Sequence, residues 1–106
     1  MMSYSVVDAA DWDERRKPIA SALGARAIRL NRFDNVPGQA GKEHDERESG
    51  QEEIYVAVGG SGTILVDREE VEFRPGSFVL VSPEATRQVL AGEEGLAYVV
   101  VGAKIA

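Results

Sequence analysis

From Ala25 onward, apolar and polar residues alternate with a period of two, the rhythm of strands that bury one face. Within 25–36, Ile28 and Leu30 alternate with Arg29 and Asn31. Residues 37–41 carry Pro and Gly and form a turn. A strand is expected over 53–58. It ends at a Gly-Gly-Ser-Gly turn over 59–62 and resumes over 63–66. Residues 67–70 make the next turn and 71–73 alternate again. Arg74 to Ser77 then has the Pro-Gly order of a type II turn. Further strands are expected at 78–81, 87–91 and 96–102, the last two separated by a Gly-Glu-Glu-Gly turn at 92–95. About seven or eight short strands, with turn signals every eight to twelve residues, predict an all-β antiparallel sandwich or barrel.

The first 24 residues are less regular. Residues 4–7 fit an added edge strand. Pro18 to Gly24 fit one helical turn, with proline at its start and glycine just past its end. The expected organisation is an irregular extension over 1–24 and one barrel domain over 25–106, with no linker or repeat.

Composition narrows the setting. A chain of 106 residues suits one domain with one core. Hydrophobic content of 43% and charged content of 28% are those of an ordinary globular protein. No window approaches the about 20 apolar residues of a membrane helix, and residues 1–17 lack the basic start and apolar core of a secretory signal. There is no cysteine to form a disulfide or thiolate site. These features fit a cytoplasmic protein that does not enter a membrane. The net charge of −6 is concentrated: residues 43–53 hold six acids and one base, a net −5. Such a surface repels phosphate backbones, which argues against nucleic acid as a partner. The acidic run can meet a cation or a basic ligand, or it can be a solvated loop.

Residues 37–62 resemble the first motif of the cupin superfamily: Gly, five residues, His-x-His, three or four residues, Glu, six residues, Gly. Gly38 precedes His44 by five residues, and six residues separate Glu53 from Gly60. The second cupin motif runs Gly, five residues, Pro-x-Gly, two residues, His. Residues 75–87 supply Gly76 and Pro83, and the position of the motif's histidine, counted from Gly76, falls on Arg87. The resemblance covers about half the chain in its motifs. It implies a double-stranded β-helix, the jelly-roll barrel of a small single-domain, RmlC-like cupin.

The departures bear on function. The metal-binding cupins that this chain resembles use three histidines and one glutamate. Here only His44 and Glu53 match. The second histidine's place is taken by Glu46 or, in a shorter register, by Glu48, and the third by Arg87. A guanidinium stays protonated, offers only donors and repels a nearby cation. A bidentate pair with Glu53 or Glu46 is therefore the expected state of Arg87. Period two places Glu53 on one face with Tyr55 and Ala57, opposite Ile54, Val56 and Val58. The resemblance implies that the Glu53 face lines the barrel interior. A turn also departs: Arg68 stands where glycine is usual in a two-residue type I′ hairpin, so a longer loop is expected there.

The pocket candidates are thus His44, Glu46, Glu53, Tyr55 and Arg87. The expected function is binding of a small anionic molecule inside the barrel, with Arg87 as its anchor and with no cofactor or tightly bound metal. One alternative is a metal-independent isomerase, epimerase or cyclase with His44 as base and Tyr55 as acid. Another is a metal-dependent dioxygenase using His44, Glu48 and Glu53. A fourth is a partner-binding domain with no pocket chemistry. Residues 96–102 are apolar on both faces, and that, with the habit of related single-domain cupins, points to a homodimer.

Overall fold

The computed structural model describes residues 3–106. The elements are β1 (Arg16–Lys17), α1 (Ile19–Leu23), β2 (Arg29–Asn35), β3 (Gln51–Val66), β4 (Glu69–Phe73), β5 (Phe78–Val81) and β6 (Arg87–Lys104). All pairings are antiparallel, in the order β1-β2-β6-β3-β4, with β5 also paired to β3. The two long strands organise everything. The first half of β3 runs between the second half of β6 and β5, and the second half of β3 runs between the first half of β6 and β4. One sheet therefore folds over itself into two layers, as in a jelly roll. Ala40 and His44 extend the second layer by single bridges to Leu90 and Arg87.

The two glycine clusters are not turns. β3 passes unbroken through 59–62 and β6 through 92–95. Register shifts between Ala57 and Gly59 and between Gly60 and Gly62 mark bulges where β3 bends from one layer to the other. A side chain at Gly60 would collide with the Gly95 carbonyl, and one at Gly62 with the Leu90 carbonyl. Glycine here admits close strand approach at a barrel corner rather than reversal of the chain.

Two smaller expectations are corrected. Residues 4–7 form no strand, because Arg16 and Lys17 occupy the β2 edge. Buried Lys17 fixes that edge by donating to Asp34 Oδ2 at 2.8 Å and to the Glu14 carbonyl at 2.7 Å. The hairpin after β3 is a two-residue turn: Val66 pairs with Glu69, and Asp67 and Arg68 take positive φ of 48° and 69°. Asp67 is held from outside, its N–H donating to the Thr86 carbonyl at 2.8 Å and its carboxylate accepting from the Thr86 N–H at 2.9 Å. Those bonds offset the cost of a left-handed arginine. The helical turn lies where proline and glycine place it. Gly24 takes φ 78°, and the Gly24 and Ala25 N–H groups close on the Ser21 and Ala20 carbonyls as a Schellman cap.

The core sits between the layers. Ile64, Phe73 and Val81 are almost completely buried, with Val89, Ala91 and Leu96 around them. Each such side chain contributes about 1.5–3 kcal/mol through burial. Tyr98 stands at one edge of this core, stacked on Phe33 at 5.0 Å and edge-on to Phe73 at 5.8 Å. Beyond it the interior is open and polar.

Candidate functional site

The open end holds a cavity of about 480 Å³ between the layers. Its acidic wall comes from β3 and the loop before it. Period two buries Tyr55 and Ala57, leaves Ile54 and Val58 exposed, and brings Glu53 to the cavity. The loop is pinned by reciprocal backbone bonds between His44 and Arg87, at 3.0 and 2.8 Å, and by the Glu46 N–H to the Pro83 carbonyl at 2.8 Å. His44 Nδ1 lies 3.0 Å from Glu46 Oε2, and one donor atom each from His44, Glu46 and Glu53 fall within 4.8 Å of one another. The Tyr55 hydroxyl donates to Glu53 Oε1 at 3.0 Å.

Glu46 faces inward and Glu48 is exposed outside this cluster, so the register containing Glu48 is corrected. The six-residue gap before Glu53 is taken up by a turn. The Gly50 N–H bonds the Glu46 carbonyl at 2.8 Å, and the Ser49 hydroxyl bonds the Glu46 carboxylate at 2.7 Å.

Burial sets the protonation behaviour. It holds the Glu53 carboxyl above the usual carboxylate range. The Tyr55 hydrogen bond opposes that, the Glu46 charge reinforces it, and Arg87 and His44 oppose it. Burial, and then the Glu53 charge, push the Tyr55 hydroxyl well above its ordinary value. Tyr98 is pushed up to about 12, again chiefly by burial. Both tyrosines are therefore neutral donors at ordinary pH.

Arg87 departs most from expectation. It is 1% exposed, but it forms no bidentate carboxylate pair. Nη1 donates to the Ala85 carbonyl at 2.7 Å. Nη2 donates to the Ser82 carbonyl at 3.2 Å and, at greater length, to Val81 at 3.5 Å. The nearest carboxylate atom, Glu53 Oε1, is 3.7 Å from Nη2, and Nε has no partner. The guanidinium braces the 82–86 loop, whose carbonyls had to be satisfied inside the protein. Its hydrogen bonds go to those carbonyls, and Nε is left over among the described residues.

Arg87 lines the cavity too, and further cations reach it from β1, β2 and the loop before His44. Arg15, Arg16 and Arg29 on and beside β1 and β2, with Lys42, line it. Arg15 lies over the Phe33 ring at 5.2 Å and donates to Asn35 Oδ1 at 2.9 Å. Among the described residues none of these four makes a salt bridge. Sequence reasoning missed them because the alternation in β2 is inverted. Ile28 is 55% exposed, whereas Arg29, Asn31 and Phe33 point inward. The signal was Phe33, an aromatic residue sharing the parity of Arg29 and Asn31.

His44, Glu46 and Glu53 are the residues that could hold a metal. The donor chemistry fits a tightly held transition metal poorly. It offers one imidazole, with Nδ1 turned to Glu46, and two carboxylates. A permanently charged guanidinium stands 3.7 Å from one of them. Repulsion between two unit charges at about 4 Å is roughly 4 kcal/mol at an effective dielectric of about 20, and it doubles for a dication.

Comparison with solved structures places this geometry in a known architecture. A cupin protein from Bacteroides fragilis matches with a TM-score of 0.85 and 23% identity, over 100% of this chain and 88% of that one. KdgF from a Halomonas species matches with a TM-score of 0.78 and 14% identity, over 100% and 96%. A putative sugar phosphate isomerase from Acidithiobacillus ferrooxidans matches with a TM-score of 0.72 and 24% identity, over 85% of this chain and 58% of that one. The chain has the cupin fold. No protein-family model and no curated protein matches it in sequence.

Proposed function

We propose that this cupin-fold protein binds a small anionic molecule in the barrel cavity without a tightly bound metal. The observation that carries this reading is the set of cavity-lining cations, Arg15, Arg16, Arg29 and Lys42, that form no salt bridge among the described residues. A cavity of about 480 Å³ falls in the range of small-molecule sites. The main anchor is this set of cations, while Arg87, whose Nη atoms are engaged by carbonyls, has Nε left over. The test is a thermal-shift screen of chelator-treated protein with small carboxylates and phosphates, beside elemental analysis of the untreated protein. An anion at about a hundred times its Kd adds about 2.7 kcal/mol, so a clear rise in Tm is expected, with no stoichiometric metal. Near-stoichiometric iron, zinc, manganese or nickel that is lost in His44→Ala would overturn the metal-free reading.

One observation favours a second reading. Glu53, held above the usual carboxylate range, faces the His44–Glu46 pair. A carboxyl that burial holds toward its protonated form, beside an imidazole paired with a carboxylate, suits metal-independent proton transfer, with the His44–Glu46 pair as base and Glu53 as acid. A structural neighbour named a putative sugar phosphate isomerase is compatible with such chemistry. Exchange of a substrate C–H proton with solvent, abolished in Glu53→Gln, is the expected sign. A homodimer through the outer face of β3 and β5, where Phe78 is 72% and Leu80 62% exposed, belongs to the same proposal. Light scattering after size exclusion, with Leu80→Glu as the control, tests it.

A further inference from the structure

The two walls of the cavity are in register. On the inner face of the first layer, Arg29 of β2 and Glu53 of β3 both stand opposite Gly102 of β6. Residues directly opposed across antiparallel strands project to the same side, and both side chains line the cavity. Two strand spacings separate their backbones, about 10 Å. Gly102 places no side chain between them. A methyl group there would lie 2.7 Å from Gln51 Oε1 and 3.4 Å from Glu53 Cγ, so the floor of the gap is backbone and the Gln51 amide. Arg16 also lines the cavity, but it is opposed to Phe33, four residues or about 13 Å along β2 from Arg29.

Across Gly102 the cavity therefore sets Arg29 against Glu53, with Glu46 on the Glu53 side and Arg87 3.7 Å from Glu53. An ion of one sign is attracted to one wall and repelled by the other. A ligand that satisfies both carries a negative group at one end and hydrogen-bond donors at the other. Guanidinium groups match a planar carboxylate. Ionised carboxylates only accept, so they require donors such as hydroxyl or ammonium. We infer that the cavity takes a small carboxylic acid bearing hydroxyl or amino groups at its far end. Its carboxylate meets Arg29, and its donors meet Glu46 and Glu53. Both side chains stand roughly perpendicular to the sheet, so about 10 Å between strands, less two hydrogen bonds of about 3 Å, leaves about 4 Å, a skeleton of about three or four carbons. The inference rests on the reading of the cavity as an anion site and specifies what accompanies the anion.

Titration calorimetry on the metal-free full chain tests it with four probes: propionate, D-glycerate, L-serine and glycerol 3-phosphate. Glycerate or serine is expected to bind about tenfold or more tightly than propionate. A preference for glycerate assigns hydroxyl donors and a preference for serine assigns an ammonium; either supports the inference. Arg29→Ala, at an exposed position that tolerates change, is expected to weaken the preferred probe about tenfold. Glu46→Gln is expected to weaken it while leaving propionate unchanged. Equal affinity for propionate, glycerate and serine would overturn the two-ended ligand and leave the anion site standing. Tighter binding of glycerol 3-phosphate than of every carboxylate would overturn the carboxylate assignment alone. Binding of none of the four would remove the anion reading and this inference together.

Discussion

The two ends of the barrel are built from the same two strands and do opposite things. At one end, the second half of β3 and the first half of β6 bury Ile64, Phe73, Val89, Ala91 and Leu96 against each other. At the other, the first half of β3 and the second half of β6 carry Glu53, Tyr55, Tyr98 and Val100 around a cavity. The packed end stabilises the fold through apolar burial. The open end holds Glu53 in a state that burial disfavours, with Asn35 Nδ2 and Arg87 Nε lacking partners. Polar groups kept this way at a net cost mark a site rather than a scaffold. Tyr98 joins the two ends, edge-on to Phe73 and stacked on Tyr55 at 6.3 Å.

That contrast can be broken or sharpened by substitution. Phe73→Ala at the packed end is expected to cost most, about 3–5 kcal/mol, read by urea denaturation. Loss of under about 1 kcal/mol would mean that the core lies elsewhere. Arg87→Met is next, at about 3 kcal/mol, because it strips charge-assisted bonds from the Ala85 and Ser82 carbonyls. Its effect on anion binding is expected to be small beside its effect on stability. The reverse pattern would return Arg87 to the role of ligand anchor.

Glu53→Gln is expected to stabilise the protein at neutral pH. The folded-state pKa is raised, so the native protein holds this proton more tightly than the unfolded chain. Stability then falls as pH rises from the ordinary carboxylate range through the folded pKa. The substitution removes that loss, and its advantage is expected to vanish in acid, where the carboxyl is protonated in both states. Melting temperatures of wild type and variant across pH check the sign; a constant difference would assign the effect to packing. The smallest expected change is Arg29→Ala, within about 0.5 kcal/mol of wild type, since its exposed guanidinium makes no salt bridge.

Much of the acidic wall was legible in the sequence. The spacing from Gly38 through His44 and Glu53 to Gly60 marks a cupin frame, and period two puts Glu53 and Tyr55 on one face. The sequence did not choose between Glu46 and Glu48. That depended on a turn over 46–50 closed by Ser49 and Gly50. The partner of Arg87 was also hidden, because the carbonyls of Val81, Ser82 and Ala85 become acceptors only once the 82–86 loop is folded over it.

What the sequence by itself determined is local: alternation, the glycine spacing, the Pro18 and Gly24 limits of α1, and the parity of β3. These follow from backbone and side-chain geometry within a few residues. The tertiary structure alone decided which side of an alternating strand is inside. In β2 that is the side of Arg29, Asn31 and Phe33 and not that of Leu30, because the interior it meets is partly a cavity and not a core. It also decided that 59–62 and 92–95 are bends within long strands and not chain reversals. Both outcomes depend on what packs opposite a residue from far along the chain, which a periodicity of two does not encode.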